Sequence, residues 1–126
     1  MIASYIALAA VVAFGASLAR PRPKPGKIRS RVYLFMAGVL LANSIPHFIH
    51  GISGVFFPGP FSRILGKGTA TNVVNVLWGL FCLGVGCNLA RDYRMHSPVM
   101  ARVLVCSGFI AMSVFLSVVF SKGAYR

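Results

Sequence analysis

Four long apolar runs constrain this chain more than any other feature of its sequence. They cover residues 2–19, 32–50, 71–90 and 99–121, and none of them contains an aspartate or a glutamate. Apolar runs of about 20 residues are typical of transmembrane helices, because that length crosses the hydrocarbon core of a bilayer. In lipid the backbone must satisfy its own hydrogen bonds, which favours helices. The sequence therefore predicts an all-α integral membrane protein, a four-helix bundle forming a single domain over residues 1–126.

The balance of charge supports this class of protein. Only 11% of the residues are charged, whereas a soluble domain carries about 25%. The net charge is +12 at pH 7, and Asp92 is the only acidic residue. Basic residues next to an anionic cytoplasmic leaflet contribute about 1 kcal/mol each. We therefore expect the lipid bilayer, with its anionic cytoplasmic leaflet, to be the partner of these charges, and we expect no nucleic acid.

The basic residues are unevenly divided between the two sides of the predicted bundle. Nine lie on one side, at positions 20–31 and 91–102, and four lie on the other. The positive-inside rule places the richer side in the cytoplasm. This predicts an N-out, C-out, multi-pass protein of the bacterial inner (cytoplasmic) membrane, with the 51–70 connection outside.

That external connection is unusually apolar. Residues 51–70 contain Phe56, Phe57 and Phe61 among several glycines and prolines. Such a segment is expected to lie in the membrane interface or to fold back over the helices, because free solvation of its aromatic rings is unfavourable.

Polar residues cluster at both ends of this connection. Asn43, His47 and His50 are four and three residues apart, which places them on one face of a helix. Asn72 and Asn75 enter the next segment from the same side, followed by Trp78. Polar groups inside a bilayer are costly and usually face the protein interior. We therefore predict a ligand-binding site that combines these residues with an aromatic cover: Asn43, His47, His50, Asn72, Asn75, Trp78, Phe57 and Phe61. A purely structural contact between the two helices is the competing interpretation.

The sequence contains few residues suited to metal binding or to hydrolytic catalysis. His47 and His50 form half of a metal site, with no carboxylate or cysteine near them at the same depth. No Ser–His–Asp arrangement can be drawn in a chain with one acidic residue. We therefore predict no metal ligands and no catalytic residues, and the identity of any cofactor is unknown from the sequence.

The residues of this region carry a resemblance. They follow the pattern Asn-x-x-Pro-His, Gly-x-x-Gly, Phe-Pro-x-Pro-Phe, Gly-x-Gly and Val-Asn-Val-x-Trp-Gly, at Asn43, Pro46, His47, Gly51, Gly54, Phe57, Pro58, Pro60, Phe61, Gly66, Gly68, Val74, Asn75, Val76, Trp78 and Gly79. This pattern resembles small bacterial four-helix membrane proteins without an assigned function, and the overall plan is loosely similar to DoxX-like proteins. The resemblance covers roughly a third of the chain, and it implies a place for the site without implying an activity.

Three functions are compatible with these features. The first is a non-enzymatic protein or accessory subunit that holds a lipid, a quinone-like molecule or another small ligand at the outer leaflet. The second is transport, in which a homo-oligomeric channel or carrier for a small ion or solute places His47 on its path. The third is a membrane enzyme subunit using His47, which the lack of acids disfavours. Four short helices enclose no wide pore, so we expect a homo-oligomer or a larger membrane complex.

Overall fold

The computed structural model describes four stretches of the chain, residues 27–59, 62–65, 68–92 and 97–121. These stretches contain the helices α1 (Lys27–Ser53), α2 (Ser62–Leu65), α3 (Thr69–Asp92) and α4 (Pro98–Ser121). Helix α2 is a single turn, and the other three are long.

The four-helix bundle predicted from the sequence is wrong. Within the described stretches, three helices are long and apolar enough to cross a membrane, namely α1, α3 and α4. The first predicted helix, residues 2–19, lies outside the described residues. Apolarity and length show that a segment is compatible with a bilayer, but they do not show that it packs into a bundle. The predicted N-out, C-out arrangement requires four crossings, and the described residues supply three helices of that kind. The three helices are compatible with a multi-pass membrane protein.

The ends of the long helices follow local rules. Helix α1 ends at Ser53, and the next residue, Gly54, has a φ of 69°. This left-handed conformation is easily adopted by glycine and closes many helices. Ser97 precedes α4, where its hydroxyl accepts a hydrogen bond from the backbone N–H of Met100 at 3.4 Å. Pro98 occupies the first helical position, where its missing N–H costs nothing.

The chain divides into two compact units. Among the described residues, the first contains residues 44–59, 62–65 and 68–85, and we call it the loop unit. The second, the α4 unit, contains residues 27–43, 86–92 and 97–121. The described residues of the predicted site all belong to the loop unit, with the exception of Asn43.

In the loop unit, α1 and α3 approach each other closely and run in opposite directions. A Cβ atom added to Gly79 would lie 2.8 Å from the backbone nitrogen of Phe48 and 2.9 Å from the carbonyl oxygen of Ser44. A Cβ atom added to Gly51 would lie 2.8 Å from the carbonyl oxygen of Asn72. Small residues permit this kind of contact between membrane helices. The antiparallel contact brings the last turns of α1 beside the first turns of α3.

The α4 unit contains a second close helix crossing. A Cβ atom added to Gly38 would collide with the carbonyl oxygen of Val105, and one added to Gly108 would collide with the carbonyl oxygen of Phe35. Apart from this crossing, α4 buries little of its surface. Only 6% of its most apolar stretch is buried, against 33% for α1. The outward-facing residues of α4 are therefore available to lipid.

Candidate ligand site

A buried imidazole and a buried amide form the centre of the loop unit. His47 on α1 and Asn75 on α3 are 6% and 1% exposed. The Nδ1 atom of His47 lies 2.9 Å from the Oδ1 atom of Asn75. The antiparallel packing of the two helices makes this contact possible, because it places both side chains at the same level.

The loop that follows α1 folds back onto this pair. The Nδ2 atom of Asn75 donates a hydrogen bond to the main-chain carbonyl oxygen of Phe57 at 2.6 Å. The side chain of Phe57 is also buried, at 6% exposed. We call His47, Asn75 and the carbonyl group of Phe57 the His–Asn–carbonyl network. It connects two helices and a loop through one amide group.

The network determines which atoms donate and which accept. A carbonyl oxygen only accepts hydrogen bonds, so the NH₂ group of Asn75 must face Phe57. The amide oxygen of Asn75 therefore faces His47, and it too only accepts. His47 consequently carries its proton on Nδ1 and donates it to Asn75.

A second imidazole lies one turn further along α1. The Nδ1 atom of His50 lies 2.9 Å from the carbonyl oxygen of Pro46, so this nitrogen also carries a proton. The aromatic ring of Phe57 contacts both histidines. Its centroid is 4.9 Å from that of His47, with the rings nearly perpendicular at 86°, and 4.7 Å from that of His50. Phe57 therefore covers both imidazoles while its carbonyl group joins the network.

Gly59 lies close to the network on the loop side. A Cβ atom at this position would lie 2.6 Å from the Oδ1 atom of Asn75 and 3.8 Å from the Cε1 atom of His47. A separation of 2.6 Å is below the contact distance of carbon and oxygen. The absence of a side chain at Gly59 therefore allows the loop to approach the amide.

The other predicted site residues occupy different surroundings. Asn72 is partly buried on α3, and Asn43 is a partly buried residue of the α4 unit. Trp78 is partly exposed and stacks on Phe81, with ring centroids 5.4 Å apart. Phe61 lies outside the described residues. Of the eight predicted residues, the structure thus brings together His47, His50, Asn75 and Phe57.

Sequence reasoning missed two features near this cluster and one elsewhere. The contribution of Phe57 includes its main-chain carbonyl, which no side-chain pattern indicates, and Gly59 was not selected. In the α4 unit, Asn88 is 4% exposed, and its Oδ1 atom accepts a hydrogen bond from Arg91 at 3.2 Å. Its Nδ2 atom has no partner among the described residues. Asn88 could have been identified from the sequence, because it is a polar residue inside the apolar run 71–90.

The site offers hydrogen bonding and aromatic contact. The described residues contain no group of three or more His, Cys, Asp or Glu side chains that could hold a metal ion. The only acidic residue of the chain is Asp92, the last residue of α3. The two imidazoles and the amide can position a polar group beside the Phe57 ring.

Comparison with known proteins adds no relationship. No family model, no curated protein and no solved structure matches this chain significantly. The resemblance to small bacterial membrane proteins therefore stays a prediction, and the function of the site must be inferred from its own geometry.

Proposed function

We propose that this chain is a non-catalytic membrane protein that binds a small amphipathic molecule at the His–Asn–carbonyl network. The observation that carries the proposal is the buried pair of His47 and Asn75, held beneath the ring of Phe57. Small-molecule sites commonly combine apolar and aromatic walls with a few placed polar groups. The polar head of the ligand would contact His47, and its apolar body would contact Phe57.

The distribution of charge supports an outer-leaflet location for this site. The loop between α1 and α3 carries Arg63 and Lys67 as its basic residues. The opposite ends of these helices are richer in basic residues, at Lys27, Arg29 and Arg31 on α1. The positive-inside rule assigns the richer side to the cytoplasm. The ligand would then enter from the outer leaflet or from the external space.

Binding is a better interpretation than catalysis because of the chemistry that the chain supplies. General acid–base reactions usually require groups with complementary roles, and a carboxylate is often one of them. Asp92, at the other end of α3 from Asn75, is the only carboxylate side chain. His47 and Asn75 instead supply hydrogen bonds that orient a bound molecule.

The competing interpretation is that the network only fastens the loop to the helices. Low exposure of His47 and Asn75 is compatible with a dry structural contact as well as with a closed ligand site. The two roles differ in one measurable property, which is whether a small molecule is retained.

Native mass spectrometry of the full chain released from gently extracted membranes tests the proposal. We expect a small molecule bound in defined stoichiometry to the wild type. It should be lost in Asn75→Leu, which removes the amide, and kept in Asn72→Leu, which removes an amide one turn away on α3. Circular dichroism verifies that each variant is folded. A wild-type spectrum with only non-stoichiometric bulk lipid would overturn the proposal and leave the structural role.

A further inference from the structure

The second ring nitrogen of His47 is the feature from which the chemistry of the ligand can be inferred. The carbonyl of Phe57 orients the amide of Asn75, and that amide accepts the Nδ1 proton of His47. A neutral imidazole has a single N–H, so Nε2 carries a lone pair and accepts hydrogen bonds. No described residue forms a hydrogen bond with this Nε2 atom.

We infer that the ligand carries a hydroxyl group that donates a hydrogen bond to Nε2 of His47. The inference rests on the proposed function and specifies its ligand class. A phenol, a quinol or a long-chain alcohol meets the requirement. A quinone or an ether does not, because each offers only acceptors to a nitrogen that also accepts.

The second imidazole has the same polarity. His50 donates its Nδ1 proton to the carbonyl of Pro46, so its Nε2 atom also presents a lone pair when the ring is neutral. Both rings that contact Phe57 therefore offer an acceptor at the nitrogen that bears no proton.

The loop backbone at Gly59 lies close to the His47 ring. In an imidazole ring, Cε1 lies between Nδ1 and Nε2. A Cβ atom on Gly59 would lie 3.8 Å from Cε1 of His47. Glycine at this position adds no side chain against the ring, and the Phe57 ring provides an aromatic surface for an apolar ligand body.

A pair of matched probes tests the inference on the full chain in lipid nanodiscs. We choose p-octylphenol and its methyl ether, p-octylanisole, which differ in the single O–H group. Binding is measured by titration, and partition into empty nanodiscs is subtracted. One neutral hydrogen bond favours the phenol by about fivefold, which corresponds to about 1 kcal/mol. The preference should disappear in His47→Phe and persist in Ser53→Ala, which removes an exposed hydroxyl that bonds within α1 to the carbonyl of Ile49.

A second measurement does not depend on the folding of any variant. In wild-type protein labelled with ¹⁵N-histidine, the Nδ1 signal of His47 should be that of a protonated nitrogen and the Nε2 signal that of an unprotonated one. Addition of p-octylphenol should shift the Nε2 signal, and addition of p-octylanisole should leave it unchanged. These shifts would support the inference directly.

The possible failures are distinguishable. Equal binding of the two probes, or tighter binding of the ether, would overturn the hydroxyl inference while leaving ligand binding intact. A proton on Nε2 of His47 in the unliganded protein would also overturn it. Specific binding of neither probe would count against both the inference and the proposed function.

Discussion

Replacement of Asn75 by leucine is the most informative perturbation of this protein. Leucine has nearly the same size, so the change removes hydrogen bonds and adds little strain. Two bonds are lost, the 2.9 Å contact with Nδ1 of His47 and the 2.6 Å bond to the carbonyl of Phe57. The Nδ1–H group of His47 then loses its acceptor and the Phe57 carbonyl loses the bond from Asn75, at positions where His47, Asn75 and Phe57 are all buried.

The expected magnitude follows from these two losses. A buried polar group left unsatisfied costs about 1–3 kcal/mol, whereas hydrogen bonds between membrane helices average about 0.6 kcal/mol because the unfolded chain in the membrane finds other partners. We therefore expect Asn75→Leu to lower the free energy of unfolding by about 1–3 kcal/mol. The loop should also detach, because its carbonyl anchor at Phe57 is lost.

Two measurements check this expectation. Titration with a denaturing detergent, followed by circular dichroism, gives the change in the free energy of unfolding. Hydrogen exchange in nanodiscs reports protection of the backbone amides at residues 55–59, which should fall in the variant. Asn72→Leu is the matched control, since its side-chain amide forms no comparable bond with another residue of the described stretches. We expect the control to lose less than about 0.5 kcal/mol, as is usual away from special features.

A double-mutant cycle determines whether the pair acts as a unit. Contacting residues usually show a coupling energy of about 0.5 kcal/mol or more, so Asn75→Leu combined with His47→Phe should cost less than the sum of the single changes. The reasoning is refuted if Asn75→Leu destabilises no more than Asn72→Leu, or if loop protection is unchanged.

Three further predictions concern the packing and the helix ends. Gly108→Ala should lower the free energy of unfolding by about 2 kcal/mol or more, because its Cβ atom would collide with the Phe35 carbonyl; thermal unfolding in detergent measures this. Gly54→Ala should cost about 1 kcal/mol, because the φ of 69° after α1 is unfavourable for alanine; the same assay applies. A membrane-permeant maleimide should modify Cys87 in detergent and spare Cys82, which is 0% exposed; mass spectrometry of peptides measures this.

Each of these predictions has its own control. Ser107→Ala changes an exposed residue next to Gly108 and should be nearly neutral. The hydroxyl of Ser107 bonds within α4 to the carbonyl of Leu104. A Gly108→Ala variant as stable as this control would show that the crossing is looser than the structure indicates. Gly54→Asn should lose less than Gly54→Ala, because asparagine tolerates the left-handed conformation better. Rapid modification of Cys82 in folded protein would contradict its burial.

The apolar runs of the sequence predict where the long helices lie but not where they end or what they pack against. Three of the apolar runs correspond to the helices α1, α3 and α4, and each helix extends beyond its run, as α1 does from 32–50 to Lys27–Ser53. Helical hydrogen bonding continues past the apolar residues at the ends of a run. Hydrophobicity alone therefore does not predict where a helix ends. The four-helix bundle was wrong for the related reason that apolarity indicates where a segment is stable and not what it packs against.

The sequence by itself determined that this chain has helices suited to a membrane, because length and lack of charge decide compatibility with lipid. It also indicated His47, His50 and Asn75, since polar residues within apolar runs are costly, and it indicated Phe57 as part of an aromatic cover. Only the tertiary structure decided how these four residues meet. The 2.6 Å bond to the Phe57 carbonyl depends on a loop returning to the helices, and a main-chain acceptor has no sequence signature. That bond fixes the orientation of the Asn75 amide, and the amide oxygen then determines that the proton of His47 lies on Nδ1.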